Sequence, residues 1–419
     1  MSKAEMITNN LIYTVPKAST LAIQKNDQKN YFDQRNYTAG QTIRATFQTG
    51  SRYVDCLNSQ LCFDVVTDNV ASSVLTWGQG SALNLIKNVR VYSKSGTELV
   101  NVQNHNVSQM IEDKCSKPKH WFDTIGSLMG YNYTNDFSGG CGSSIVLDSR
   151  FADIANNATT EIQIPLSSIA AIFNPSAKTL LPSMLASGLV LEIDLATSKE
   201  CCQRTGGISD NIVSIRDIYL NLCCTTLSDN AVGSMNDVAA KNLIEYTYVD
   251  TYTSRLTQNA DNQVVSTAIN KAVGFASHIV AVEVSQAQRG NQEQDEFNLI
   301  SDAVEYQYQL GSVQLPSQVP VKGERLAYKQ LLKTYNEYMV ESEGSSLGFI
   351  NYEFYVGAKT CSFSKDQFLA LSNMPINSSR SLRYEQKYVT APSTARTIFI
   401  FLKYIKVLRV SLTDCSVNF

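Results

Sequence analysis

The residue types best suited to catalysis or metal binding are ten cysteines and three histidines. His105 and His120 lie on either side of Cys115, a grouping that could activate a thiolate nucleophile. No third group that would orient a histidine is evident in this stretch. Cys115, His120 and Cys141 could also bind zinc, but their spacing matches no compact zinc motif. We therefore interpret the stretch as a polar helix and loop and predict neither a catalytic residue nor a metal site.

Three other patterns also favour ordinary structural roles. The cysteine doublets at 201–202 and 223–224 suit a shared metal site poorly, because adjacent strand residues point to opposite faces. The acidic cluster at 293–296 could bind a hard cation, but a solvated loop is the simpler interpretation. Alternating aromatic residues at 306–308 and 352–354 could line a sugar site, yet their spacing is more typical of a core. No enzyme activity and no cofactor are predicted.

Composition excludes several classes of protein. The chain has 419 residues, of which 43% are hydrophobic and 17% charged, and its formal net charge is -3. A disordered polyelectrolyte has few apolar residues and a high net charge, and a protein that wraps nucleic acid has a basic surface. The N-terminus has no signal-peptide pattern, and the most apolar stretch, 398–402, is too short to span a membrane. We expect synthesis in a reducing compartment without a secretory signal, and reduced, buried cysteines.

The hydrophobic pattern has a period of two over most of the chain, which predicts half-buried β-strands. Helical spacing is rare. Strands are predicted at 61–65, 189–195, 218–222, 280–284, 304–310 and 350–356, with a fully buried strand at 397–410. Helices are predicted at 106–114, 166–173, 324–340 and 365–371. A mostly-β chain with short helices in its loops favours a sandwich or barrel.

The two halves of the chain share a coarse order of elements. Each begins with strands, contains a helix in a long excursion, and ends with a short helix followed by a pair of strands. This order predicts two β-sandwiches in tandem. We expect an N-terminal arm at 1–28, a first sandwich at 29–228, a linker at 229–243 and a second sandwich at 244–419.

Six stretches distributed over the chain share a diffuse pattern with one family. They are 41–47 (QTIRATF), 59–65 (SQLCFDV), 82–92 (ALNLIKNVRVY), 181–193 (LPSMLASGLVLEI), 308–316 (YQLGSVQLP) and 402–410 (LKYIKVLRV). They resemble the major capsid proteins of polinton-like viruses, virophages and related eukaryotic double-stranded DNA viruses. The resemblance extends from about residue 31 to the C-terminus, although the virophage members are longer than this chain.

This resemblance implies a double jelly roll, in which two tandem jelly rolls of eight strands each carry short helices in their loops. It implies a structural protein whose homotrimers are pseudo-hexagonal capsomers that tile an icosahedral shell. The expected partners are neighbouring trimers, penton proteins and minor capsid proteins. The expected location is the virion, after synthesis inside the host cell. Sequence-specific nucleic-acid binding and a transmembrane segment are not expected.

One long loop is predicted to make a buried contact. The segment 116–144 carries five aromatic residues, which are Trp121, Phe122, Tyr131, Tyr133 and Phe137. Aromatic side chains dominate the energetics of protein interfaces. The contact could be with a neighbouring subunit or with the loop's own sandwich, and the sequence leaves both open. The N-terminal arm could likewise tie trimers together or be disordered.

Three alternative functions are compatible with parts of the sequence. A β-sandwich adhesin or glycan-binding protein would have an export signal and exposed aromatic platforms. A thiol or metal hydrolase would have a reactive Cys115 beside His105 or His120. A minor capsid or penton protein would have one jelly roll rather than two.

Overall fold

The computed structural model describes residues 22–67, 75–77, 81–131, 134–136, 144–146, 159–175, 180–204, 213–241, 244–285, 303–335, 352, 357–363, 376, 381–411 and 415–418. Strands dominate both halves. The first half contains β1 (Ala22–Tyr31), β2 (Tyr37–Thr38), β3 (Thr42–Thr46), β4 (Tyr53–Thr67), β5 (Leu75–Trp77), β6 (Ile86–Tyr92), β7 (Glu98–Val102), β8 (Thr134–Asp136), β9 (Ser144–Val146), β10 (Thr159–Pro165), β11 (Val190–Leu195), β12 (Cys202–Arg204) and β13 (Val213–Leu227). The second half contains β14 (Ile244–Gln258), β15 (Val264–Ile269), β16 (Ala276–Ser285), β17 (Ala303–Leu310), β18 (Val313–Leu315), β19 (Val321–Lys322), β20 (Lys359–Ser362), β21 (Leu382–Tyr388), β22 (Arg396–Val410) and β23 (Cys415–Asn418).

Each half folds into two antiparallel sheets of four principal strands. In the first half the sheets have the orders β1-β13-β4-β10 and β3-β11-β6-β7, and in the second half β14-β22-β16-β20 and β15-β21-β17-β18. Short strands β2, β19 and β23 add to three of these sheets, and β5-β12 and β8-β9 form separate two-stranded ribbons.

The strand order is the same in both halves. If the eight principal strands of each half are numbered along the chain, one sheet has the order 1-8-3-6 and the other 2-7-4-5. Strands distant in sequence are therefore neighbours in space, and two Greek keys that interleave in this way form a jelly roll. The chain is thus two tandem eight-stranded jelly rolls, which confirms the fold class expected from the sequence.

The hydrophobic alternation explains why these segments become strands of a sandwich. In β11 the side chains of Leu191 and Ile193 are fully buried between the sheets, while Glu192 and Asp194 are half-buried on the outer face. Arg90 on β6 reaches those two carboxylates at 2.7 and 2.8 Å. The predicted strands at 61–65, 218–222, 280–284 and 304–310 lie within β4, β13, β16 and β17, and the continuously apolar 397–410 lies within the buried β22.

Helices occupy the connections between strands. They are α1 (His105–Ser116), α2 (Lys119–Trp121), α3 (Leu166–Ile169), α4 (Ser183–Ala186), α5 (Ser198–Cys201), α6 (Asp229–Ala240) and α7 (Glu324–Thr334), with 3-10 turns at Ala82–Leu85 and Ala171–Phe173 and a π-helical turn at Phe122–Gly126. Three of the four predicted helices correspond to α1, α3 with its following 3-10 turn, and α7. The predicted helix at 365–371 lies outside the described residues.

Three stretches differ from the sequence-based expectation. Strand β1 begins at Ala22 and pairs along β13, so residues 22–28 belong to a sheet although we expected an arm there. Residues 229–240 of the expected linker form α6. Of the strand predicted at 350–356, the structure describes Tyr352 alone, which has helical backbone, so the prediction is wrong at this residue.

Polar groups also lie inside the second roll. Glu283 on β16 is 2% exposed and accepts hydrogen bonds from Tyr388 at 2.6 Å and Gln386 at 2.8 Å. Its carboxylate also pairs with Lys359 at 3.3 Å and Arg396 at 3.2 Å. Burial by itself would raise the pKa of Glu283, but these cations and hydrogen bonds lower it. A buried charge of this kind is tolerated because its partners satisfy it, and it links the two sheets of the roll.

Candidate assembly segment and inter-roll junction

Helix α1 packs between the two jelly rolls. It follows β7 of the first roll, yet Val107, Ile111 and Cys115 pack in the hydrophobic core of the second roll. These three residues are four apart in sequence, so they lie along one side of the helix. Met110 packs in the core of the first roll. The helix is therefore shared between the two cores.

A charged cluster lies on the side of α1 that faces the second roll. The Glu112 carboxylate is 3.7 Å from Lys403 Nζ on β22 and 3.7 Å from His278 Nε2 on β16. It also accepts a hydrogen bond from the Tyr335 hydroxyl at 3.2 Å. Burial by itself would raise the pKa of Glu112, but Lys403, His278 and Tyr335 lower it to about 2. The carboxylate is therefore charged at neutral pH.

Hydrogen bonds from β14 reinforce this junction. The hydroxyls of Tyr246, Tyr248 and Thr253 donate to the main-chain carbonyls of Ile172, Leu99 and Gln103, each at 2.7 Å. All three donors belong to the second roll and all three acceptors to the first. The rings of Tyr246 and Tyr248 also pack in the first core. The junction thus combines apolar burial with satisfied polar groups.

The aromatic loop predicted to make a buried contact lies against the first roll. Phe122 packs edge-on against Trp121 at 5.1 Å and against Tyr131 at 5.3 Å. Phe122 and Tyr131 are 2% and 5% exposed and belong to the first core. A Cβ at Gly126 would meet the Trp121 ring at 3.3 Å, so this position favours glycine. Contact of these rings with another subunit stays a prediction.

Two of the five aromatic residues, Tyr133 and Phe137, lie outside the described residues. The π-helical turn and the helical residues that follow it expose two apolar side chains that were not predicted from the sequence. Ile125 is 41% and Leu128 is 44% exposed. They are three residues apart in a continuous helical stretch and so lie on one side. An apolar pair at this spacing in a polar loop was the available sequence signal, but the neighbouring aromatic residues were more conspicuous.

Asp113 lies between α1 and the aromatic loop. Its side chain is fully buried, accepts a hydrogen bond from Gln109 at 3.0 Å, and is 3.5 Å from the Tyr131 hydroxyl. Burial raises the pKa of Asp113 to about 7, although Lys117 and Gln109 act in the opposite direction. This carboxyl therefore exchanges its proton near neutral pH.

Cys115, His105 and His120, the described residues of the hypothetical thiol or zinc site, have different surroundings. Cys115 is fully buried in the second core. His105 Nε2 lies 2.9 Å from the carbonyl oxygen of Ser168, and burial lowers the pKa of His105 to about 4. His120 is exposed, and Cys141 lies outside the described residues. Within the part of the chain that the structure describes, no three His, Cys, Asp or Glu side chains form a metal-binding group.

The side chains of eight cysteines are described, and all eight are buried. Their burial raises the pKa values of Cys56 and Cys361, which disfavours the reactive thiolate. Tyr306, Tyr308 and Tyr352 are likewise buried in the second core, as their alternation predicted. These rings are therefore not available as a sugar-binding platform.

The sequence and the structure of this chain were compared with those of known proteins. No family model and no curated protein matches the sequence. Among solved structures, the Faustovirus major capsid protein is similar over 98% of this chain and 94% of its own, with a TM-score of 0.64 and 11% identity. The PBCV-1 virus capsid is similar over 94% of this chain and 96% of its own, with a TM-score of 0.62 and 11% identity. This chain has the double jelly-roll fold of viral major capsid proteins.

The mavirus major capsid protein shares this double jelly-roll fold over 98% of the present chain and 94% of its own. Its TM-score is 0.52 and its identity is 9%. At such identities the shared property is the fold, whereas the function depends on the surfaces that the fold presents. None of the helices in the described ranges is both long and apolar enough to cross a membrane.

Proposed function

We propose that this double jelly-roll protein is a viral major capsid protein with a structural, non-enzymatic role. The observation that carries the proposal is the presence of both jelly rolls, with the same strand order, over nearly the full length shared with the Faustovirus protein. The virion is the proposed location.

The proposed building block is a homotrimer. Each chain contains two rolls of equal topology, so three chains around a threefold axis present six similar rolls. Such a particle has a pseudo-hexagonal outline and can tile an icosahedral shell. The junction supports this role because α1 and β14 each pack against both rolls and so join them into one unit. Neighbouring trimers, penton proteins and minor capsid proteins are the proposed partners.

The proposed subunit contact is the helical stretch 119–128. The rings of Trp121, Phe122 and Tyr131 hold this stretch against the first roll. Ile125 and Leu128 then project from a supported surface, and exposed apolar pairs of this kind are favourable in an obligate interface.

The mass of the purified protein in solution, together with negative-stain images of the same sample, tests the proposal. We expect a stable particle of three times the 46.3 kDa chain mass, with a hexagonal outline, or spontaneous shells. A monodisperse monomer at every concentration and ionic strength would contradict the proposal. In that case the glycan-binding alternative predicts retention on a sugar array.

A further inference from the structure

A cleft of about 490 Å³ lies at the junction between the two jelly rolls. This volume is within the range of ~300–1,000 Å³ that is typical of small-molecule sites. Residues of α1, of α3 with the turn that follows it, and of β4 and β7 form its first-roll side. Residues of β14, β16 and β22 form its second-roll side. The cleft is thus built by both rolls and exists only when they are docked together.

Lys403 provides a buried positive charge to this cleft. Its side chain is 9% exposed, and its only ion pair among the described residues is to Glu112 at 3.7 Å. That separation is beyond hydrogen-bond distance. An ammonium group carries three donors, each of which can donate to an oxygen acceptor. The lysine can therefore donate to an oxygen ligand in the cleft.

His278 supplies an unsatisfied polar group at the same place. Its Nδ1 is 3.1 Å from the Ser277 hydroxyl. Its Nε2 is buried and has no hydrogen-bond partner within the described part of the chain. When the Ser277 hydroxyl donates to Nδ1, Nε2 carries the ring proton and is a donor. Lys403 and His278 both approach Glu112 Oε2 at 3.7 Å, so the two donors converge on one region.

The remaining lining is mostly polar and includes a few apolar residues. Lys117 adds a second ammonium group, and Glu112 is the one carboxylate among the lining residues of the described chain. Leu57 and Val249, which are 42% and 36% exposed, lie along the cleft on opposite rolls. The lining therefore offers donors for an oxyanion together with two exposed apolar side chains.

We propose that the inter-roll cleft binds a small amphipathic organic anion, a carboxylate or phosphate group on a short apolar body. Lys403 and His278 hold the charged group, and Leu57 and Val249 contact the apolar body. A bare phosphate ion fills only a small part of the cleft, so the apolar body contributes to affinity. Because both rolls line the site, the bound anion stabilises their docked arrangement. The inference does not depend on the proposed capsid function.

Thermal unfolding of the full chain with four probes tests this site. The probes are hexanoate, hexyl phosphate, inorganic phosphate and hexylammonium, at matched ionic strength. We expect hexanoate or hexyl phosphate to raise Tm with saturation, inorganic phosphate to act more weakly, and hexylammonium to have no saturable effect. If hexanoate and hexyl phosphate raise Tm by different amounts, the larger shift shows whether the site prefers a carboxylate or a phosphate group. Equal effects of hexylammonium and the anions, or no saturable shift with either anion, would overturn the proposal.

Variants locate the effect. Lys403→Met keeps the length of the side chain and removes the donors, so the apparent Kd should weaken about tenfold or more. Lys387→Met is the matched control, since Lys387 is 52% exposed on β21 and outside the cleft. If Lys403→Met fails to fold, Val249→Trp fills the cleft from an exposed position, with Val264→Trp on β15 as its control. Unchanged binding in Val249→Trp would also overturn the assignment.

Discussion

Two neighbouring carboxyl groups on α1 have opposite pKa shifts because of what faces them. Glu112 points toward Lys403, His278 and Tyr335, which lower its pKa to about 2. Asp113 is enclosed by α1 and the aromatic loop, and its burial raises its pKa to about 7. Adjacent residues on a helix are about 100° apart, so they can meet entirely different surroundings.

Asp113→Asn should therefore remove a pH dependence of stability. The native Asp113 carboxyl keeps its proton up to about pH 7, whereas the unfolded chain releases it near the ordinary value of 3.8. The native state binds more protons in this window, so stability is lost as pH rises from about 4 to 7. Relative to the variant, the wild-type protein should lose roughly 1 kcal/mol per pH unit there. Urea unfolding at several pH values measures this difference.

Three neighbouring charged side chains also act on the pKa of Asp113. Lys117 and Lys403 favour its ionised form, and Glu112 disfavours it. Asp123→Asn, at an exposed position of the π-helical turn, is the matched control and should leave the pH profile unchanged. Parallel pH profiles for Asp113→Asn and the wild-type protein would contradict the expectation.

At the scale of elements, the stretch 119–128 combines a buried aromatic support with an exposed apolar pair. Ile125→Asp with Leu128→Asp should dissociate the proposed trimer, because two carboxylates would be desolvated at the interface. The fold should survive, since both positions are more than 40% exposed in the single chain. Sedimentation analysis and thermal unfolding of the same samples separate the two effects.

Val238→Asp on α6 is the control for that experiment, because Val238 is 38% exposed and lies in a different helix. It should leave both the trimer and Tm unchanged. If the double variant stays trimeric, the assignment of 119–128 to the subunit interface is wrong. The capsid proposal itself is tested separately by the mass of the wild-type particle. A monomeric double variant with an unchanged Tm would support this segment as the subunit contact.

At the scale of the whole molecule, each core contains side chains from the other half of the chain. Tyr246, Tyr248 and Leu408 pack in the first core, and Val107 and Ile111 pack in the second. The rolls are consequently expected to unfold as one cooperative unit, although each has its own sandwich topology.

Ile111→Ala tests this coupling. Ile111 is 1% exposed in the second core, and truncation of such a side chain costs about 2–5 kcal/mol. Both tryptophans, Trp77 and Trp121, lie in the first roll. The midpoint of unfolding should fall equally when followed by tryptophan fluorescence and by far-UV circular dichroism. Ile23→Ala, at a 69% exposed position, should change neither. A fluorescence midpoint that stays at the wild-type value would show independent rolls.

The sequence by itself determined the strands and the likeness of the two halves. Alternation at 189–195 and 304–310 predicts a buried and an exposed face because side chains in a strand alternate with period two. The jelly-roll order entered through resemblance, because alternation does not say which strands pair. The buried state of Cys62, Cys223 and Cys224 also followed from their apolar strand context.

Only the tertiary structure decided which surfaces these elements face. Helix α1 was predictable as a helix, but its position between two cores depends on contacts with residues about 170 to 290 positions further along the chain. In the sequence, Lys403 and His278 are isolated polar residues in apolar strands. Only the positions of β16 and β22 in the fold bring them together beside Glu112. Local patterns record how much of a residue is buried, whereas the identity of its partner is set by long-range packing.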